Sequence, residues 1–151
     1  INPIPVSALK KVGGFSPLFF HYGEDVDYIH RMRFYGYRVG YTPLTSGCHD
    51  RQNRPITRQT QMKLDRVYYL SVVSDLNSGM AKCLWGGVLA PLKPGVLALL
   101  RGRFKEFCFY TGTSVRLLCR YPSIAEIKRF CKQGRPVFLE NVHSKIKPIW
   151  S

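Results

Sequence analysis

Apolar residues recur along this chain at helical spacing, and glycine and proline punctuate the stretches between them. From Glu24 to about Tyr35 the pattern predicts a helix. Its first turn is acidic, its last turn carries Arg31 and Arg33, and Gly36 stands where a C-terminal cap belongs. Asp27 and Arg31 are spaced i,i+4 and should meet on one face. A short strand is expected at Tyr37–Tyr41, ended by Thr42-Pro43, and then a loop through His49 to about Arg58. A second helix is expected from about Thr60 to Asn77, where Met62, Val67, Leu70 and Val73 give a wide apolar face before Ser78-Gly79. Ser123 with Glu126 three residues later reads as a capping box opening a last helix that ends near Gln133-Gly134. Pro3 and Pro5 make residues 1–11 a lead-in without regular helix, and Pro136 and Pro148 make the tail irregular.

One apolar stretch does not fit a simple core helix. Cys83 to Leu100 approaches the roughly 20 residues of a membrane span, yet Pro91, Pro94, Lys93 and three glycines interrupt it. Such breakers leave backbone groups that lipid cannot satisfy, which argues against an ordinary spanning helix. Lys82, Arg101, Arg103 and Lys105 flank it, as a segment lying in an anionic interface requires. A helical hairpin packed on the protein itself is the other reading.

Charge sharpens this picture. The formal net charge is +14, and residues 1–50 contribute only +1 of it, five basic against four acidic side chains. The remaining +13 lies in residues 51–151, a surplus that should attract phosphates, whether in nucleic acid, lipid headgroups or a nucleotide donor, a solvated basic surface being the plainer reading. The five cysteines form no C-x-x-C pair and no zinc-like spacing, so reduced, buried, structural thiols in a cytosolic protein are expected. The chain opens on Ile1 without an initiator Met or a signal-like segment, and the expectation is the back portion of a longer reading frame.

Against this basic background, residues 12–27 hold three of the nine acids, Glu24, Asp25 and Asp27, behind a Gly13-Gly14 turn and an aromatic run. With Gly13-Gly14-Phe15, Glu24-Asp25, Arg31, Gly36, Pro43 and His49 in this order, the chain resembles the family 2 glycosyltransferases, inverting enzymes of the GT-A fold. It looks most like their bacterial rhamnosyltransferase-like members that build surface polysaccharide. The resemblance covers roughly residues 10–50. It implies an α/β fold: the C-terminal part of a GT-A (Rossmann-like) domain over residues 1–58, followed by a mainly helical, basic and possibly membrane-associated extension over 59–151.

The resemblance also implies roles. Asp25 matches the aspartate that acts as general base, and a carboxylate at a helix start is rigidly aimed at the preceding loop. Glu24, Gly13, Gly14 and Phe15 match the substrate-binding turn and motif, where glycine lets backbone approach a ligand and an aromatic face suits a sugar ring. His49 matches a ligand of the divalent metal, Mg2+ or Mn2+, that supplies charge to a departing diphosphate. The implied partners are a nucleotide-sugar donor, a saccharide or lipid-linked acceptor and an anionic membrane surface, with no nucleic acid. The implied location is the inner face of the bacterial membrane.

Ser16-Pro17-Leu18 and Tyr28 depart from the family pattern, which touches acceptor preference. The donor-binding front half with its Asp-x-Asp motif is missing, so this piece alone is expected to be inactive. No Gln-x-x-Arg-Trp motif follows, which favours single addition over processive polymerisation. A non-catalytic basic module for anionic membranes or nucleic acid is the alternative. A metal-dependent hydrolase built on His21, His30 and His49 has poor spacing.

Overall fold

The computed structural model describes residues 4–19, 22–40 and 55–134, and its elements there are helices. In chain order they are α1 (Val6–Val12), α2 (Glu24–Phe34), α3 (Arg58–Ser74), a single turn α4 (Met80–Lys82) running into a π-helical stretch (Cys83–Leu89), α5 (Leu92–Leu100) and α6 (Phe104–Lys132). No strand occurs among the described residues, and 72% of them are helical. The expected α/β, Rossmann-like class is therefore corrected to all-helical. The physical reason sits at residues 37–40. They carry no ladder partner, because a strand needs another strand's edge to satisfy its N–H and C=O groups, and none lies among the described residues.

The long helices follow local sequence closely. Thr57 caps α3, its Oγ1 accepting from the Thr60 N–H at 3.1 Å. α2 starts at the predicted residue, and Gly36 closes it in a Schellman arrangement: its N–H bonds to the Arg33 carbonyl, and the Tyr37 N–H bonds to that of Met32. Two other expectations fail for identifiable reasons. Pro5 does not prevent α1; it occupies the N-cap, where a missing N–H does no harm. Ser123 opens no new helix, since α6 runs through Pro122, with Leu117 and Ile124 both fully buried on one face seven residues apart. Core burial on either side of Pro122 outweighs the one backbone bond it removes.

One hydrophobic cluster joins the chain's two ends. Leu18 and Phe19 pack with Leu70, Val73, Leu76, Val88, Leu117, Ile124, Ile127 and Cys131. α3 and α6 form its centre, and polar bonds lace its flanks. Tyr110 donates to Asp65 Oδ2 at 2.6 Å, Ser114 donates to the Val88 carbonyl at 2.6 Å, and Lys128 Nζ donates to the Val73 carbonyl at 3.1 Å. Of the four described cysteines, Cys83 and Cys131 are buried thiols; Cys108 and Cys119 are exposed on α6, against expectation, because their positions fall away from the α6 face that packs on the core. Cys48 lies outside the described residues.

Pro91, Pro94 and the glycines fail to break the apolar stretch. Pro91 is the N-cap of α5 and Pro94 its third residue, where N–H groups have no intrahelical partner anyway. Gly87 lies against α3: a Cβ there would run into the Val73 side chain and come within 3.3 Å of the Tyr69 carbonyl. At Gly86 the nearest atom is Val72 Cγ1 at 3.5 Å, an ordinary contact. Alanine gains up to about 1 kcal/mol of helix preference at either site. The clash arises only at residue 87 and costs about 1–3 kcal/mol. Urea denaturation should therefore find Gly87→Ala less stable than Gly86→Ala; equal stabilities would mean the helices do not approach this closely.

Candidate functional site

The predicted site residues converge on α2 through Arg31. This side chain is buried, and all three of its nitrogens are engaged. Nε donates to Asp27 Oδ2 at 2.9 Å, Nη1 to the Val12 carbonyl at 3.0 Å and Nη2 to the Gly14 carbonyl at 2.7 Å. The predicted i,i+4 pair thus forms, and the guanidinium fork also clamps the Gly13-Gly14 turn to the helix. The turn needs glycine: Gly13 has φ +90°, and its N–H closes α1 on the Leu9 carbonyl at 2.9 Å.

The clamp fixes the next residue as well. The Phe15 ring lies 5.1 Å from that of Tyr28, centroid to centroid, and the Arg31 guanidinium sits 5.0 Å from the Tyr28 ring. Phe15 remains 50% exposed, so this aromatic face is open to a ligand. Asp25 precedes Tyr28 by three residues and Glu24 precedes it by four. Both acids therefore stand one helical turn, about 5 Å, before Tyr28 along α2.

The three acids have separate environments. Asp27 is buried; burial pushes its carboxyl above the usual carboxylate range, while Arg31 and the Ser74 hydroxyl pull the other way. Asp25 is exposed, and its Oδ1 accepts only from its neighbour's N–H, that of Val26, at 2.8 Å. Glu24 is half-buried. Its Oε2 has no hydrogen-bond partner among the described residues, and neither has the Tyr28 hydroxyl on the same face. Burial pushes that hydroxyl above the ordinary tyrosine value.

A cavity of about 10 Å³ adjoins Asp27, Arg31, Ser74 and Lys128. It is no larger than one water. The Asp27–Arg31 pair beside it therefore holds structure, and this cavity has no room for a ligand larger than water. His49 lies outside the described residues, as do His21 and Phe20. The described residues bring together no three His, Cys, Asp or Glu side chains, so they give the implied Mg2+ or Mn2+ no donor set, and no step below runs through a metal.

Sequence reasoning missed a second anchor, at the far end of α2. The Asp75 carboxylate accepts from the Asn77 N–H at 2.9 Å, from Asn77 Nδ2 at 2.9 Å and from Ser78 Oγ at 2.8 Å. Asn77 Nδ2 also donates to the His30 carbonyl at 3.1 Å, tying the end of α3 to α2. The Asp-x-Asn-Ser spacing is an Asx-turn signal that could have been read. Comparison with protein families, curated proteins and solved structures returns no match for this chain.

Arg31→Met leaves the Asp27 carboxylate buried and unpaired and frees two turn carbonyls. It should lower stability by about 3–5 kcal/mol in denaturant titrations, and Asp27→Leu added to it should recover part of the loss. No recovery would mean the clamp on the turn matters more than the charge.

Asp75 gives a pH prediction. Burial alone would raise its pKa, but the Asn77 and Ser78 donors and His30 together hold it below the usual carboxylate range. The stability it contributes is complete above the unfolded-state value near 4 and is lost as pH falls through the lower folded-state value. Asp75→Asn should cost about 1–3 kcal/mol at neutral pH. It should also flatten the stability curve below about pH 4, as followed by urea denaturation at a series of acid pH values.

Proposed function

We propose that this chain carries the acceptor side of an inverting sugar transferase resembling glycosyltransferase family 2, with Asp25 as general base. Its substrates are a nucleotide-sugar donor and a saccharide or lipid-linked acceptor of cell-surface polysaccharide, met at the inner face of a bacterial membrane. The observation that carries this reading is the Arg31 clamp, which holds the glycine turn so that the Phe15 ring packs tilted against Tyr28, one helical turn from Glu24 and Asp25 in the sequence of α2. A half-open aromatic face one helical turn from an exposed carboxylate is what a sugar acceptor needs, a platform for its ring and a base for its hydroxyl.

In this reaction the Asp25 carboxylate takes the proton of the acceptor hydroxyl. The hydroxyl oxygen bonds to the anomeric carbon from the face opposite the diphosphate. The anomeric C–O bond breaks, and its electron pair leaves on the diphosphate. Glu24, half-buried and with one oxygen that has no partner among the described residues, can accept from a further acceptor hydroxyl. The donor side, including a divalent cation with His49 as its expected ligand in this chain, draws on residues beyond those described.

Asp25→Asn preserves shape and removes only the base. In membranes from cells expressing the intact gene, sugar transfer from a labelled nucleotide donor should fall by about 10²–10⁴-fold in kcat, with little change in donor KM. Phe15→Ala should instead raise acceptor KM. Undiminished transfer by Asp25→Asn would remove the base assignment and favour the basic, non-catalytic module.

A further inference from the structure

The Met80–Leu100 stretch is built inside out relative to a helix of a soluble core. Most of its inward positions are small or ring-constrained: Gly87 lies on α3, while Pro91, Gly95 and Ala98 are buried, with the Gly95 backbone close enough that a Cβ would stand 3.3 Å from Tyr110 Cβ. Val88 is buried in the core and Leu84 packs against it, but most of the other large apolar side chains point away. Trp85 is 72% exposed, Leu100 is 78% exposed, and Leu89, Val96, Leu97 and Phe104 are exposed with them. Trp85, Leu89, Val96 and Leu100 follow one another at intervals of four, seven and four residues, which keeps them near one face. The stretch is 21 residues long and apolar enough to cross a membrane by length and composition, yet only 33% of its most apolar window is buried. Small residues at the helix contact and large ones outside is the arrangement helices take where the surroundings are lipid.

Charge identifies the occupant of this face. From Met80 to Lys105 the sequence contains no Asp or Glu, while Lys82, Lys93, Arg101, Arg103 and Lys105 are basic. Lys82, Lys93, Arg101 and Lys105 are exposed. The hairpin tip between α5 and α6 sets two of these cations beside Leu100 and Phe104, its turn closed by Gly102 at φ +69° with the Arg103 N–H on the Ala98 carbonyl at 2.8 Å. Glu106, just past this stretch, pairs with Arg103 and Arg58, which leaves Lys82, Lys93, Arg101 and Lys105 as the exposed cations around an apolar ridge with an exposed tryptophan. Such a surface matches a bilayer in which acyl chains lie beneath anionic headgroups.

We infer that the outer face of the Cys83–Leu89 stretch and α5 inserts into one leaflet of an anionic bilayer, with Trp85, Val96 and Leu100 among the acyl chains and Lys93, Arg101 and Lys105 on the phosphates. Nine residues of α5 and the packed seam against α6 suit shallow insertion, since a span needs about 20 residues free to face lipid. This inference rests on the hairpin alone and holds whether or not Asp25 is a base.

The test uses the full 151-residue chain with Trp150→Phe, so that Trp85 is the sole indole reporter. It is mixed with vesicles of phosphatidylethanolamine and phosphatidylglycerol, or of phosphatidylcholine alone. On the anionic vesicles Trp85 emission should shift to the blue, and brominated acyl chains should quench it. Val96→Glu with Leu100→Glu alters only exposed positions and should lower partitioning roughly tenfold or more. Replacing Lys93, Arg101 and Lys105 by Gln should lower it about fivefold per charge. Circular dichroism of each variant separates lost binding from lost folding. Binding without quenching by brominated chains would overturn the insertion, as would Trp85 protected in lipid-free solution by self-association seen in sedimentation. So would binding to phosphatidylcholine as strong as to the anionic vesicles, or Trp85 protected by a nucleic acid duplex in place of lipid.

Discussion

A buried guanidinium organises the first part of this molecule. Without a sheet among the described residues, the Gly13-Gly14 turn has no ladder in which to place its carbonyls, and Arg31 takes two of them, Val12 and Gly14. Arginine can do this because its planar fork donates in several directions at once and stays charged when buried; lysine offers a point charge on a flexible stem. The cost of burying that charge is met by Asp27 from the same helix face and by the aromatic ring of Tyr28. One side chain thus fixes the angle between α1 and α2 and the position of Phe15.

The second part obeys a different constraint, close approach of backbones. Gly87 against α3 and Gly95 against α6 let the backbones approach closely at two points, while Val88 packs into the core cluster. A helix that packs through its small residues must carry its large ones elsewhere. Leu89, Val96 and Leu100 therefore face outward as a geometric consequence of the seam, and the cations around them follow the chain's own charge pattern. Water is a poor neighbour for such a face: about 25 cal/mol per Å² of exposed apolar area is left uncollected until something covers it.

Much of this was legible from local signals. The start of α2, its Gly36 cap and the Asp27–Arg31 pair follow from charge placement and i,i+4 spacing, which depend only on nearby residues. α3 was readable from its apolar stripe. The strand at residues 37–41 misled because aromatic and β-branched residues mark a pleated, half-buried surface, and that surface exists only when another strand supplies it. Pro122 and Ser123 misled in the same way: a capping signal was present, but burial of Leu117 and Ile124 carried the helix across it. Arg31's bonds to Val12 and Gly14 span 19 and 17 residues, a separation no local pattern reports. The prolines of the apolar stretch were read as breakers because residue type was visible and position within the helix was not.

The three acids of α2 separate a helix-capping role from a chemical one. Carboxylates that served only to balance the helix dipole would each be turned toward the first-turn N–H groups. Only Asp25 is, through the single short-range bond to Val26, and that bond leaves its other oxygen unassigned. Asp27 is committed to Arg31 and holds the turn; it is too buried to meet a substrate. Glu24 keeps a buried oxygen without a partner, an arrangement that ordinarily costs stability and is retained where a ligand completes it. The helix thus gives its three acids three different environments, one paired with Arg31, one half-buried and one exposed. Dipole compensation alone asks for no such division, since it would place all three acids alike around the first turn.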